Sequence, residues 1–181
     1  MREIEVLKKE TIDKIAAGEV VERPLSVVKE LVENAVDAGS DAVTVEIRDG
    51  GKSLIRVTDN GEGIPSSQIH LAFLRHATSK LRQAEDLLRI SSLGFRGEAL
   101  SSIAAVSRTE CLTKTADSLT GMRYVIEGGE VRAAEEVGIP DGTTIIVRDL
   151  FFNTPARKEF LLSAAAETGR VRTVLDKQIL A

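Results

Sequence analysis

The chain has 181 residues, 43% of them apolar and 29% charged, the balance of a globular protein long enough to bury one core. Its 24 Lys and Arg stand against 28 Asp and Glu, a net charge of −4 and a pI near 5.4, which runs against the basic balance of a dedicated nucleic-acid binder. One cysteine and two histidines exclude an internal disulfide, a cysteine-pair zinc site and a multi-histidine metal centre, while no Trp, one Tyr and five Phe leave little for a base-stacking platform. No apolar run approaches the ~18 residues a spanning helix needs. The first residues, MREIEVLKKETIDK, lack the basic-then-apolar layout of a signal peptide. The expectation is a soluble domain without membrane contact, cytoplasmic in a bacterium or nuclear in a eukaryote.

In chain order, the clearest element is a helix from Pro24 to Ala38. Val27, Val28, Leu31, Val32, Ala35 and Val36 recur at three- and four-residue spacing, Pro24 suits the first turn and Gly39 the residue past the end. Residues 42–48 (AVTVEIR) and 54–58 (LIRVT) alternate as half-buried strands around an Asp49-Gly50-Gly51 turn. A glycine-rich loop, Asp59 to Gly63, precedes a short helix from Ser66. Residues 75–97 are polar, glycine-punctuated and without a sustained period. A helix is expected over 98–106, then strands near 107–115, 121–127, 130–137 and 143–149, then helices opening at Pro155 and covering 165–180. Strands in a block, flanked by helices, predict a two-layer α+β sandwich: one mixed sheet with helices on one face. Strict βαβ alternation is absent, which argues against a Rossmann topology. The last residues lie in an uncapped amphipathic helix, as in one domain of something longer.

Three stretches could carry chemistry. Glu30, Asn34 and Asp37 fall on one line of the 24–38 helix. They are either a solvated face or a carboxylate and an amide placed to orient a water and hold a hard cation; Asn34 strains the first reading, because mid-helix Asn usually has a specific partner. The loop Asp59-Asn60-Gly61-Glu62-Gly63 is either a tight turn or a place where backbone approaches a ligand while a carboxylate accepts from an amino group. Gly94-Phe95-Arg96-Gly97-Glu98, directly ahead of a helix, is either an ordinary loop or a cradle of N–H groups for phosphate. It is not a Walker loop, since no Gly-Lys-Ser/Thr follows.

Taken in order, these features resemble the ATP-binding fold shared by gyrase-type topoisomerases, heat-shock chaperone ATPases, sensor histidine kinases and mismatch-repair ATPases (the GHKL or Bergerat type). The longer motifs are similar to those of the MutL family of DNA mismatch repair proteins: IAAGEVVERPLSVVKELVENAVDAG (15–39), TDNGEGI (58–64), RHATSK (75–80), GFRGEALSSIAAVS (94–107) and DLFFNTPAR (149–157). The likeness covers essentially the whole chain, whereas gyrase- and chaperone-type relatives share only the short core motifs.

The resemblance implies an ATPase working with ATP and Mg²⁺. Glu30 would be the general base for the attacking water and Asn34 a Mg²⁺ ligand. Asp59 would accept the adenine amino group, with a buried water and Thr143 nearby, while Gly61, Gly63 and the small Ala38 leave room beside the nucleotide. Thr78, Ser79 and Lys80, with the backbone of Gly94, Phe95, Arg96, Gly97, Glu98, Ala99 and Leu100, would surround the phosphates as a lid, spanning about 75–97 and ordered by ATP. In the plainer reading Arg96 and Glu98 pair with each other or with solvent. His76 reads as structural, and Cys111 as a strand residue. Glu159 departs from the family, where basic residues are common, and weakens any basic patch there. A second domain that supplies a lysine to the γ-phosphate would begin about where this chain ends, so residues 1–181 read as one ATP-binding domain. The implied function is an ATP-driven switch that dimerises, as a homo- or heterodimer, between a mismatch-sensing protein and downstream repair factors, with DNA contact weak or indirect. Two alternatives stand: a nucleotide-binding module of a topoisomerase or chaperone, and a fragment that binds nucleotide without hydrolysing it.

Overall fold

The computed structural model describes residues 6–75 and 98–179. In chain order they form α1 (Lys9–Val20), α2 (Pro24–Asp37), β1 (Val43–Arg48), β2 (Leu54–Asp59), a one-turn α3 (Ile69–Ala72), α4 (Ala99–Ala105), β3 (Arg108–Lys114), β4 (Gly121–Glu127), β5 (Glu130–Val137), β6 (Gly142–Arg148), α5 (Pro155–Glu159) and α6 (Ala164–Ile179). The six strands make one sheet in the order β1-β2-β6-β3-β4-β5. Helices cover one of its faces, the two-layer sandwich that the pattern predicts.

The expectation of a mixed sheet is corrected: every strand pair is antiparallel. The reason lies in the connections. Short turns fold β3, β4 and β5 into a meander, and β5 ends at Val137, opposite Gly121. Only residues 138–141 follow, too few for the long crossover that a parallel strand requires. They carry the chain across the sheet end, and β6 starts beside the ends of β2 and β3, so it runs back against both.

Inward-facing Ile55, Val57, Ile145, Val147, Cys111, Tyr124 and Ile126 meet the buried stripe of α2, formed by Val27, Val28, Leu31, Val32 and Ala35. Val36 does not join it: it is 61% exposed, lying roughly 110° around the helix from the centre of the stripe. Glu33, polar by type, is buried instead, with Lys29 Nζ at 3.8 Å. The outer face of the sheet is laced by ion pairs. Glu110 takes Arg123 at 2.6 Å and Arg148 at 3.0 Å, and Arg123 also meets Glu135 at 2.5 Å.

Two tertiary clasps position the helices. α1, which the sequence pattern does not announce, packs on α4, and the Arg157 guanidinium lies against its Gly18 where any side chain would collide, while donating to the Val21 carbonyl at 3.3 Å. On the other side α6 packs along α2. Its Glu167 is fully buried, accepting the Leu162 N–H at 2.8 Å and lying 3.6 Å from the guanidinium of Arg23, the residue just before α2.

Candidate nucleotide site

The sheet ends in a row of side chains that point under the helices. Register places Val43, Asp59, Thr143, Thr113 and Met122 side by side on β1, β2, β6, β3 and β4. Asp59 is thus the last residue of β2, in line with buried Val57 but at the open end, where the apolar layer stops. Burial lifts its carboxyl above the ordinary 3.8, and N–H groups from Gly61 and Thr143 offset part of that rise. The Gly61 N–H lies 2.9 Å from Asp59 Oδ1. Among the described residues no cation pairs with this carboxylate; Lys114, on β3 beyond β6, is engaged with Asp141.

The loop after Asp59 is not a tight hairpin turn. Asn60 braces it sideways, its Oδ1 accepting the N–H groups of Asp41 at 3.1 Å and Ala42 at 3.0 Å. The chain then passes so close to the end of α2 that a Cβ on Gly61 would lie 2.9 Å from Ala38 Cβ, while the Glu62 N–H donates to the Ala38 carbonyl at 3.0 Å. Gly63 adopts φ 73°, and a Cβ there would strike the Lys114 carbonyl. Only glycine meets both conditions. Ile64 closes the loop by donating its N–H to Thr113 Oγ1 at 2.8 Å.

Ala38 therefore joins Asp59 and Gly61 at one end of a line along α2. Asn34 is one turn back, its carbonyl accepting the Ala38 N–H at 3.0 Å, and Glu30 is two turns back. With a rise of 1.5 Å per residue these stand about 6 Å and about 12 Å from Ala38 along the axis. Both are half-buried. Glu98 precedes α4, its carbonyl accepting Ser102 N–H and Ser101 Oγ at 2.9 Å each; Ala99 and Leu100 form the first turn. Thr78, Ser79, Lys80, Gly94, Phe95, Arg96 and Gly97, with the rest of the lid over 76–97, and His76 lie outside the described residues. The structure thus brings together Asp59, Gly61, Gly63, Ala38 and Thr143, and lines up Asn34 and Glu30 behind them.

Sequence reading missed Thr113. It is 1% exposed, with its hydroxyl 2.9 Å from Thr143 Oγ1 and 3.2 Å from the Gly142 carbonyl. The signal was present: in RTECLTK the inward positions hold Thr109, Cys111 and Thr113, and a hydroxyl on the core side of a strand needs partners. Cys111 does fill a strand position as expected, fully buried, its thiol pushed up to about 12 by burial and, secondarily, by the Asp59 charge.

The comparison that places the chain in a class is with the ATPases described as histidine kinase-, DNA gyrase B-, and HSP90-like. The model of that family matches residues 22–144, and the chain belongs to it. Within the family its likeness is to MutL. DNA mismatch repair protein MutL from Agathobacter rectalis is 63% identical over 99% of this chain and 28% of its own length, and that from Desulforamulus reducens is 54% identical over 100% and 28%. The chain therefore spans little more than a quarter of these relatives. Among solved structures, the Aquifex aeolicus MutL ATPase domain complexed with ADP superposes with a TM-score of 0.69 at 36% identity, covering 89% of this chain and 56% of that one. The N-terminal domain of a DNA repair protein gives 0.75 at 30%, covering 91% and 47%. No helix among the described residues is long and apolar enough to cross a membrane.

Proposed function

We propose that this region binds ATP and ADP with Mg²⁺ and hydrolyses ATP, acting as the nucleotide switch of a MutL-type mismatch repair protein. The observation that carries the reading is Asp59: a half-buried acceptor at the sheet end, paired with no cation among the described residues and framed by Gly61, Ala38 and Thr143, suits an exocyclic amino group and ill suits a carbonyl. The ADP held by the Aquifex aeolicus domain supports it. Asn34 and Glu30, about 6 Å and about 12 Å along α2 from Ala38, would serve the phosphate end. Among the described residues no three His, Cys, Asp or Glu side chains converge. That suits Mg²⁺, which keeps waters and takes much of its coordination from phosphate; Asn34 is the donor assigned to it. When bound, the ion neutralises charge on the phosphate oxygens. Glu30 would accept a proton from the attacking water.

The resemblance to MutL extends the proposal to the whole protein: dimerisation on ATP binding, a mismatch-sensing partner, downstream repair factors, and weak or indirect DNA contact through this region. Residues 1–181 are one ATP-binding domain of that larger protein. Calorimetry with Mg-ADP tests the core of the proposal. Asp59→Asn should weaken binding by roughly 1–3 kcal/mol, because an amide presents a donor where the ligand also donates. Equal affinity for both proteins would remove Asp59 from the site.

A further inference from the structure

The first turns of α2 and α6 meet over the Gly50-Gly51 turn that joins β1 to β2. A Cβ on Gly51 would lie 2.7 Å from Pro24 Cβ, and one on Gly50 would lie 2.8 Å from the Ala164 carbonyl oxygen and 3.0 Å from Glu167 Cβ. Across this junction Glu167 faces Arg23. Its Oε1 accepts the Leu162 N–H at 2.8 Å and lies 3.6 Å from Arg23 Nη1. Its Oε2 and that Nη1 are both buried, and among the described residues neither has a hydrogen-bond partner. A pair so desolvated, and left short of hydrogen bonds, contributes little net stability; apolar side chains in its place would join the helices as well. What it supplies, and apolar contact does not, is direction.

Direction matters for α2. Its apolar stripe sets how deep the helix lies on the sheet far better than it sets any slide along the helix axis. Polar stops at the two ends do the second job. At one end the Glu62 N–H meets the Ala38 carbonyl, and at the other Arg23 meets Glu167. Glu30 stands between them, roughly 10 Å after Arg23 and about 12 Å before Ala38 along the axis. We infer that Glu167 is a positioning residue for ATP hydrolysis: through Arg23 it fixes the start of α2, and with it the placement of Glu30 against the attacking water. This rests on the role proposed for Glu30 above.

The test measures ATP hydrolysis in the full-length protein that carries this region. Glu167→Gln keeps an oxygen for the Leu162 N–H but turns an amide donor toward the guanidinium. It should lower kcat by about tenfold, the effect of a sub-ångström misplacement of a general base, while ADP binding without Mg²⁺, which reports the Asp59 end, changes by less than about twofold. In a Glu30→Ala background the same substitution should cost almost nothing further, because no base is left to misplace. General loosening of the fold would slow both backgrounds alike; that result overturns the inference, as does a full rate in Glu167→Gln alone. If Glu30→Ala by itself keeps the full rate, the base is elsewhere and the inference falls with the reading beneath it. If Glu30→Ala is slow and Glu167→Gln is not, only the positioning role fails. Should Glu167→Gln not fold, Arg23→Met combined with Glu167→Leu replaces the pair by apolar chains. That double variant should fold and hydrolyse ATP slowly, and a full rate from it shows that packing alone places α2.

Discussion

Asp59 and Glu110 are carboxylates on the same sheet, one on each face, and their surroundings drive them in opposite directions. Both are partly desolvated, which by itself lifts a carboxyl. For Glu110 that rise is overcome by hydrogen bonds and charge from Arg123 and Arg148, and it ends below the ordinary 4.5. Asp59 receives only backbone N–H groups and stays above 3.8. The outer carboxylate is spent on other side chains of the fold. The inner one is held in place by the backbone with acceptor capacity left over, and that unspent capacity distinguishes a candidate binding carboxylate from a structural one more sharply than burial does.

The comparison can be extended or broken by measurement. A third carboxylate, Glu30, gives the largest expected effect: Glu30→Ala in the full-length protein should cut ATP hydrolysis by ~10²-fold or more while leaving ATP binding nearly intact, since a general base acts in the transition state. Glu110→Gln should change neither. Steady-state hydrolysis with parallel calorimetry checks both, and a wild-type rate in Glu30→Ala would assign the base elsewhere. Next in size is the frame around Asp59. Gly63→Ala forces a side chain into a left-handed backbone and against the Lys114 carbonyl, at a cost of about 2 kcal/mol or more in urea unfolding.

Stability against pH then separates the two carboxylates by sign. Glu110, with a lowered folded value, contributes stability above 4.5 that is lost as pH falls through that folded value. Asp59, with a raised folded value, favours the folded state below 3.8 and loses that contribution as pH rises through its folded value. Urea midpoints at several pH values between about 3 and 7 should therefore show Glu110→Gln losing ground at neutral pH and Asp59→Asn gaining it, with both gaps closing in acid. Gaps of the same sign would dissolve the contrast. The smallest effect is a null one. Cys111 should resist alkylation in the folded protein at pH 8 and react fully in denaturant. Asp59→Asn should leave that resistance intact, because burial outweighs the Asp59 charge in raising the thiol. A native Cys111 that becomes reactive in Asp59→Asn would mean the charge dominates.

Much of this architecture was legible in advance where the signal is local. Strand expectations at 121–127 and 130–137 coincide with β4 and β5, because Gly128-Gly129 punctuates a clear alternation. α2 was readable from its apolar spacing and its Pro24. α1 was not, since KETIDKIAAGEV has only a weak apolar stripe and contains Gly18, and its packing partners α4 and Arg157 lie far along the chain. Within the site, Asp59, Gly61, Ala38 and Thr143 carried motif signals. Thr113 carried only its place in an alternation, and its hydroxyl meets a neighbour 30 residues away.

By itself, then, the sequence determined the elements that depend on neighbours in the chain: helical spacing, alternation, and glycines where the backbone must turn or be approached. Tertiary structure alone decided that β6 enters between β2 and β3. It decided that Glu33 is buried while Val36 is exposed, and that Arg157 and Glu167 fasten helices to distant segments. The same insertion of β6 aligns Asp59, Thr143 and Thr113 in one row. Local preferences act over a few residues, whereas register across a sheet is set by which strands share a core.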